Sequence, residues 1–209
     1  MNVLKRMLMA AVTLILIFTL ISACSNINTK TDTATAKAAE TTSSTTKKPS
    51  GKILIAYFSR SGNTLEVAKQ IQEKTGGDLF EIKTVEAYPK EYKATTEQAK
   101  RELDSGFRPA LTHKVSNIDS YDIIFLGYPI WWGSMPMGVF TFLESHNLSN
   151  KIIIPFATHE GSQMGRSVAD LTNVYPEATI LEALPIRGSI AKESQNTIFQ
   201  WLRRIKVIK

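Results

Sequence analysis

The chain has 209 residues, enough for one domain of ordinary size with short appendages. Its formal net charge is +6, but residues 1–24 and 25–50 each carry +2, so residues 51–209 carry only +2. A balance this small gives no basic stripe of the kind that binds nucleic acid, so we expect no nucleic-acid partner. The three histidines, His113, His146 and His159, are too scattered for metal-ligand spacing, and we expect no metal site.

The beginning of the chain matches an export signal. Lys5 and Arg6 precede an uncharged apolar run that stops before Cys24, the only cysteine. This pattern predicts a signal peptide over residues 1–23. An uncleaved membrane anchor is the alternative, because the run is nearly long enough to span a bilayer. The stretch "LISAC" resembles the bacterial lipobox, which implies lipidation of Cys24 and an extracytoplasmic protein that is lipid-anchored to a bacterial membrane.

Residues 24–50 differ in composition from the remainder of the chain. Beyond Cys24 they hold one large apolar residue, Ile27, among threonines, serines, alanines and lysines. Such a segment cannot bury enough apolar surface to offset the entropy lost on ordering, which predicts a flexible, lipid-anchored linker. The folded domain is therefore expected over residues 51–209.

Within this domain, short apolar runs alternate with segments of helical spacing. The short apolar run at 52–58, bounded by turn residues, predicts a strand. Continuous apolar runs at 121–127 and 151–157 predict strands that are buried on both faces. The stretch 79–85 alternates polar and apolar residues, as an edge strand does, and 178–184 predicts a fifth strand.

Helical patterns fill the gaps between these strands. Residues 91–103 predict a helix and 104–115 a loop, which together form the second crossover. Five strands alternating with helices predict an α/β fold with a parallel sheet covered on both faces. The other helical stripes are Leu65, Ala68 and Ile71; Val139, Phe142 and Leu143; Val168 and Leu171; and Ile198, Trp201, Leu202 and Ile205.

The first loop at the ligand-binding edge of such a sheet is "YFSRSGNT", residues 57–64. Gly62 permits a tight turn, and Asn63 with Glu66 matches a capping box. The backbone N–H groups at the start of the next helix, with nearby hydroxyls, predict an anion site, and a plain helix cap is the alternative. Because the loop lacks the Gly-Lys-Ser/Thr of a P-loop, a terminal monophosphate fits better than a diphosphate. The hydroxyl side chains are those of Ser59, Ser61 and Thr64.

The second loop, "GYPIWWGSMPM" at 127–137, comes after the third strand. It holds more large aromatic residues than a reversing turn needs, namely Tyr128, Trp131 and Trp132. Aromatic residues in a loop at this edge favour stacking on a planar ring system, although buried tryptophan is usually plain core. Loop conformation is favoured by Pro129, Gly133 and Pro136.

The third loop, "ATHEGSQMGRS" at 157–167, comes after the fourth strand. Gly161 and Gly165 allow backbone N–H groups to converge on a ligand. A single neighbouring His159–Glu160 pair favours ligand contact over acid–base catalysis, so we expect no catalytic residue. Taken together, the three loops predict a pocket for a phosphorylated flat aromatic molecule.

The three motifs, in this order, resemble the flavodoxin family, and in particular its short members with a Trp-Trp loop. The resemblance covers residues 52 to 205 or so. It implies FMN as cofactor and a doubly wound five-stranded parallel sheet of order 2-1-3-4-5, with helices on both faces; the order is that of flavodoxin itself. The implied phosphate-binding residues are Ser59, Arg60, Ser61, Gly62, Asn63 and Thr64. The implied residues beside the isoalloxazine ring are Pro129, Ile130, Trp131, Trp132 and Gly133. The implied residues at its pyrimidine edge are Thr158, His159, Glu160, Gly161 and Ser162.

One property departs from the family pattern. Electron-carrier flavodoxins are strongly acidic, and their negative field disfavours the anionic reduced flavin. This domain carries +2, and one of its cations, Arg60, lies beside the implied phosphate. His159 at the pyrimidine edge should raise the potential further when it is protonated, and Glu160 should oppose that effect. We therefore expect a reduction potential less negative than that of acidic carriers.

Three functions are expected from these features. The first is electron transfer by a tethered FMN protein to a redox partner protein or a small-molecule electron acceptor, with the flavin supplying the chemistry. The second is an FMN-dependent quinone or nitro-compound reductase, which needs room for a second substrate. The third is a non-catalytic ligand-binding lipoprotein, because a fold does not fix a function. The bulky "IWW" stretch favours the first function, because it would leave little room for a second substrate.

Overall fold

The structure is a computed structural model that describes residues 51–209. The signal peptide, the lipidated Cys24 and the linker predicted for residues 1–50 lie outside the described residues. Within residues 51–209, no helix combines the length and apolar character needed to cross a bilayer.

The described residues form a parallel sheet with helices on both faces. The strands are β1 (Ile53–Tyr57), β2 (Asp78–Glu81), β3 (Ile123–Pro129), β4 (Ile152–His159), β5 (Thr179–Ile180) and β6 (Leu184–Arg187). The helices are α1 (Asn63–Thr75), α2 (Tyr92–Ser105), α3 (Met137–Glu144), α4 (Ser167–Val174) and α5 (Gln195–Arg204). Two short 3-10 helices span Ile118–Ser120 and Gly188–Glu193.

The strand order is β2-β1-β3-β4-β5, and every pairing between strands is parallel. This confirms the predicted α/β class and the predicted order. Since β1, β3 and β4 are buried almost along their whole length, their side chains are apolar on both faces.

The predicted fifth strand at 178–184 is wrong as a continuous element. Two short segments, β5 and β6, succeed one another along the same edge of β4. The residues between β5 and β6 contact α5 instead of β4: the Trp201 indole N–H donates to the Glu182 carbonyl at 3.0 Å. Arg204 also binds the Glu182 carboxylate, at 2.8 Å. These contacts draw the middle of the segment out of the ladder, and the strand resumes at Leu184, the last residue of the predicted element, and continues to Arg187.

Each face of the sheet carries its own apolar core. On one face α1 and α5 cover the sheet, with Ile71 and the fully buried Trp201 at the centre. On the other face α3 and α4 do so, through Phe142 and Leu171. Truncating a buried Trp or Phe to Ala costs about 3–5 kcal/mol, so these two layers fix the sheet and its loop edge.

Candidate functional site

The loops after β1, β3 and β4 converge on one cavity at the carboxyl ends of the strands. Its volume is about 770 Å³, within the range of small-molecule sites. The predicted site residues that line it are Arg60, Ser61, Asn63, Pro129, Ile130, Trp131, Trp132, Thr158, His159, Glu160, Gly161 and Ser162. The predicted residues that do not line it are Ser59, Gly62, Thr64 and Gly133.

The first loop presents unpaired donors. Helix α1 begins at Asn63, and the N–H groups of its first turn have no partner within the helix. Within residues 51–209, the backbone N–H groups from Ser59 to Gly62 donate to no protein acceptor, and the buried Oγ of Ser59 has no hydrogen-bond partner. A buried hydroxyl without a partner is costly unless a ligand pairs with it. The loop therefore has the donor set of an anion site.

Gly62 provides the turn into α1, but the predicted capping box is wrong. Gly62 has φ +91°, a left-handed conformation, and caps α1 without a side-chain hydrogen bond. Because the helix begins at Asn63, this residue lies inside the first turn and cannot cap it. The Asn63 amide instead packs against Gly188, where an added Cβ would lie 2.7 Å from Asn63 Nδ2.

Two further residues of the first loop have protein partners. The hydroxyl of Thr64 is buried and lies 2.9 Å from that of Thr158, so it joins α1 to β4 instead of lining the cavity. The Arg60 guanidinium is exposed and donates to the Lys90 carbonyl at 2.9 Å. Arg60 therefore places a positive charge at the cavity rim.

The second loop is a hairpin turn with its own hydrogen bonds. Trp131 and Ser134 exchange backbone hydrogen bonds of 2.9 and 3.0 Å. The two residues between them, Trp132 and Gly133, have φ of 50° and 79°, the pattern of a type I′ turn. Asn-Gly is the usual pair in this turn, so a tryptophan here occupies an unfavourable backbone conformation.

The two tryptophans have different surroundings. Trp131 lines the cavity and packs edge-on against Phe58 and Tyr88, with ring centroids 5.4 and 4.9 Å away. Trp132 is about half exposed, at 49%, and its indole N–H donates to the Thr96 carbonyl of α2 at 2.9 Å. Trp131 thus belongs partly to the core, whereas Trp132 spans the cavity mouth.

The buried carboxylate of Glu102 holds Tyr88, the residue that packs against Trp131. The Tyr88 hydroxyl donates to Glu102 at 2.5 Å, and Gln98 donates to the same carboxylate at 2.8 Å. Burial and the bond to Glu102 raise the pKa of Tyr88, so the phenol keeps its proton. The Tyr88 ring is thereby fixed against Trp131.

Tyr128, which the sequence placed with these aromatic residues, lies in the core. Strand β3 continues to Pro129, so Tyr128 is part of the strand and is fully buried. Its hydroxyl lies 3.1 Å from that of Ser167, and burial raises its pKa.

The third loop is ordered by His159 at the end of β4. The Gly161 N–H donates to His159 Nδ1 at 2.9 Å. Burial, and then the guanidinium of Arg187, lower the pKa of His159, while the Glu160 carboxylate opposes them. The ring is therefore neutral at neutral pH, and the higher potential expected for protonated His159 applies only at lower pH.

The second and third loops are joined through their glycines. The Arg166 N–H donates to the Gly133 carbonyl at 2.8 Å. Gly165 has φ +52°, and a Cβ added there would lie 2.3 Å from the same carbonyl oxygen. The two loops can approach this closely only because Gly165 has no side chain.

The structure adds cavity residues that the sequence did not indicate. Gly188 lies beyond the predicted end of the fifth strand, and α2 was predicted only as a crossover helix. No local pattern marks residues that reach a cavity from a distant segment. The sequence shows only an aromatic residue, Tyr92, at the start of a polar helical segment, and the structure leaves this residue exposed. The added lining residues are Tyr92, Thr95, Thr96, Ala99 and Gly188.

Comparison with known proteins identifies the family. A family model described as Flavodoxin matches residues 52–205. A candidate flavoprotein from Bacteroides eggerthii DSM 20697 is 34% identical, covers 77% of this chain and 100% of its own, and superposes with a TM-score of 0.68. A second, from Bacteroides uniformis ATCC 8492, is 32% identical, covers 74% and 99%, and has a TM-score of 0.66.

A more distant structure agrees in fold. A flavoprotein from Lactobacillus acidophilus NCFM, crystallised in complex with FMN, is 23% identical, covers 69% of this chain and 98% of its own, and has a TM-score of 0.57. A search of curated proteins found no match. With a family model over most of its length and two solved structures above 30% identity, the chain belongs to the flavodoxin family.

Proposed function

We propose that the domain binds FMN in the 770 Å³ cavity and carries out electron transfer. The observation that carries the proposal is the first loop. Its backbone N–H groups and the buried Ser59 hydroxyl lack protein partners at the start of α1, in a chain of the flavodoxin family. A terminal phosphate supplies the acceptors that such donors need.

The proposal assigns a role to each loop. Residues 59–64 hold the phosphate, Thr64 through its backbone N–H because its hydroxyl is bonded to Thr158, and Arg60 adds charge from the rim. Residues 129–133 flank the isoalloxazine ring, and residues 158–162 meet its pyrimidine edge. Bound FMN supplies the one- and two-electron chemistry, while these residues bind it, orient it and limit its contact with water.

A spectrum of the purified protein tests this proposal. We expect either flavin absorption as isolated or saturable binding of added FMN, with bleaching by dithionite and recovery on oxidation. A protein that binds no FMN at micromolar concentrations contradicts it, and colourless binding of another phosphorylated compound would favour the non-catalytic lipoprotein.

The charged residues near the cavity should affect the reduction potential of bound FMN. Arg60 lies at the cavity rim and Arg187 beside the third loop. Because His159 is neutral, these two guanidinium groups supply the positive charge that a protonated His159 would have supplied. We expect bound FMN to have a potential less negative than in acidic carriers. Potentiometry from pH 5 to 8 measures it, and a potential as low as theirs contradicts this part of the proposal.

A second candidate function is reduction of a quinone or nitro compound. The observation that favours it is that the cavity extends beyond the three loops to α2, where Thr95, Thr96 and Ala99 line it. An Ala99→Phe variant tests it, with Ala94→Phe on the same helix as control. If a small quinone is the substrate, Ala99→Phe retains FMN but loses quinone turnover; equal turnover in both variants favours a protein partner.

The location proposed for this activity is extracytoplasmic, on a bacterial membrane, with Cys24 as a lipidated anchor. A tether on the linker of residues 24–50 lets the domain meet membrane-bound redox partners. Replacing Cys24 with Ser should release the protein from membranes and leave FMN binding intact. A Cys24→Ser protein that still carries lipid and stays membrane-bound contradicts the anchor.

A further inference from the structure

The His159 ring has one partnered nitrogen and one free nitrogen. Nδ1 accepts the Gly161 N–H at 2.9 Å, so Nδ1 carries no proton and the neutral ring has its proton on Nε2. His159 is buried, at 8% exposure, and lines the cavity. Within residues 51–209, no protein acceptor pairs with Nε2.

The strand next to His159 supplies a permanent cation. Arg187 is paired in register with His159 on the adjacent parallel strand β6. Leu184 and Ile186 belong to the core that α1 and α5 cover, so Arg187 points to the opposite face by strand alternation. Ala157 belongs to the core on that opposite face, which places His159 there too.

The guanidinium of Arg187 makes no ion pair within the described residues, and it is exposed. The charged groups around the ring are Arg187 on β6, which disfavours imidazolium, and Glu160 in the same loop, which favours it. Burial acts in the same direction as Arg187. The residue that α1 contributes near this loop is Asn63, which is uncharged and lies with Glu160 against Gly188.

We propose that Gly161 and Arg187 together hold His159 as a neutral Nε2–H donor to an acceptor atom of the bound cofactor. Gly161 fixes the tautomer through its N–H, and Arg187 is a positioning residue that keeps the ring uncharged. The donor recognises a carbonyl oxygen or an unprotonated ring nitrogen, which are the acceptors at the edge of a flavin pyrimidine. This inference rests on the proposed FMN site and adds a defined donor to it.

The tautomer is testable without FMN. Long-range ¹H–¹⁵N NMR spectra of the apo-protein should show His159 protonated at Nε2, with its signals assigned by their loss in a His159→Gln variant. Arg187→Gln should raise the pKa at which the ring titrates, and Arg187→Lys should restore it. Arg203→Gln, an exposed arginine of α5, is the matched control. A ring protonated at Nδ1, or a pKa that Arg187→Gln leaves unchanged, overturns the proposal.

The contact with FMN is tested by affinity. His159→Phe keeps a flat ring but removes the donor, and a neutral hydrogen bond is worth about 0.5–1.5 kcal/mol, so FMN should bind about two- to tenfold more weakly. His159→Gln restores an N–H donor and should recover most of this loss. Equal FMN affinity in wild type and His159→Phe overturns the donor role, whereas failure of wild type itself to bind FMN overturns the proposed function.

Discussion

The first and second loops of the cavity are built in opposite ways. Between Ser59 and Gly62, backbone N–H groups have no protein acceptors within the described residues, and the Ser59 hydroxyl is buried without a partner. Between Trp131 and Ser134, the turn makes its own hydrogen bonds, and Trp132 is tied to α2.

This difference separates binding from scaffolding. Donors without protein partners form hydrogen bonds only when a ligand binds, and these bonds stabilise the complex. Changes in the first loop should therefore alter affinity more than folding. Groups that already have protein partners contribute to the folded state, so removing such a contact from the second loop should alter the free energy of unfolding first, unless the substitution also relieves an unfavourable backbone conformation. Substitutions in and around each loop can test whether this distinction holds.

The largest effect is expected at Gly62. A side chain there must adopt φ +91°, which β-branched residues avoid, although nothing lies within 4 Å of the added Cβ. Gly62→Val should therefore displace the N–H groups and weaken FMN binding by more than about a hundredfold, several hydrogen bonds being involved. Ser61→Ala, the control, removes one hydroxyl and should cost about tenfold. Titration of both apo-proteins with FMN measures this, and equal affinities would argue against the anion site.

Trp131 should affect folding more than binding. Trp131→Ala removes packing against Phe58 and Tyr88, and because the ring is only partly buried we expect a loss of about 2–3 kcal/mol in the free energy of unfolding. Trp131→Phe, which retains an aromatic ring, should recover about half of it. Urea unfolding of the apo-proteins measures both. A Trp131→Ala protein as stable as wild type would show that this loop, too, depends on a ligand.

The contact between the second and third loops is tested at Gly165. Gly165→Ala places a Cβ against the Gly133 carbonyl, whereas Gly106→Ala has a similar positive φ, +64°, and nothing within 4 Å. The left-handed conformation should cost both variants about 1 kcal/mol, and the clash should cost Gly165→Ala about 1–3 kcal/mol more. Equal free energies of unfolding for the two variants would mean that the loops are not tightly coupled.

Trp132 should show the reverse of Trp131. Trp132→Asn gives the turn a residue that suits type I′ geometry but removes the bond to the Thr96 carbonyl. These effects oppose each other, so the free energy of unfolding should change by less than about 1 kcal/mol. FMN affinity should fall, because an aromatic side chain leaves the cavity mouth. Unaltered FMN affinity would remove Trp132 from the site.

The smallest effect concerns pH. Because folding lowers the pKa of His159, the unfolded chain binds more protons as the pH falls below about 6.5, and stability should decrease until the pH passes the folded pKa. His159→Gln should remove this slope, and His113→Gln, at an exposed position, should not. Urea unfolding at several pH values from 5 to 8 measures it. A slope that survives in His159→Gln belongs to another group.

Local sequence patterns predicted much of the fold. The apolar runs of β1, β3 and β4 identified the buried strands, because strands covered on both faces need no polar positions. The split of the fifth strand escaped prediction, since it depends on the bond from Trp201 to Glu182, which no local pattern encodes.

The candidate site was predicted less completely. Loops rich in glycine, serine and tryptophan marked three walls of the cavity, but the roles of α2 and Arg187 depend on tertiary placement. The capping box at Asn63 failed because the left-handed Gly62 moved the helix start by one residue. Local chemistry therefore indicated where a ligand binds, and packing determined which groups surround it.

The most direct measurement of the central claim compares FMN with riboflavin, which lacks only the phosphate. If the first loop binds the phosphate through its unpartnered donors, apo-protein should bind FMN at least about a hundredfold more tightly, since two charge-assisted hydrogen bonds already supply that ratio. Gly62→Val should reduce the ratio towards one by weakening FMN binding alone. Equal affinities of wild type for FMN and riboflavin would contradict the account.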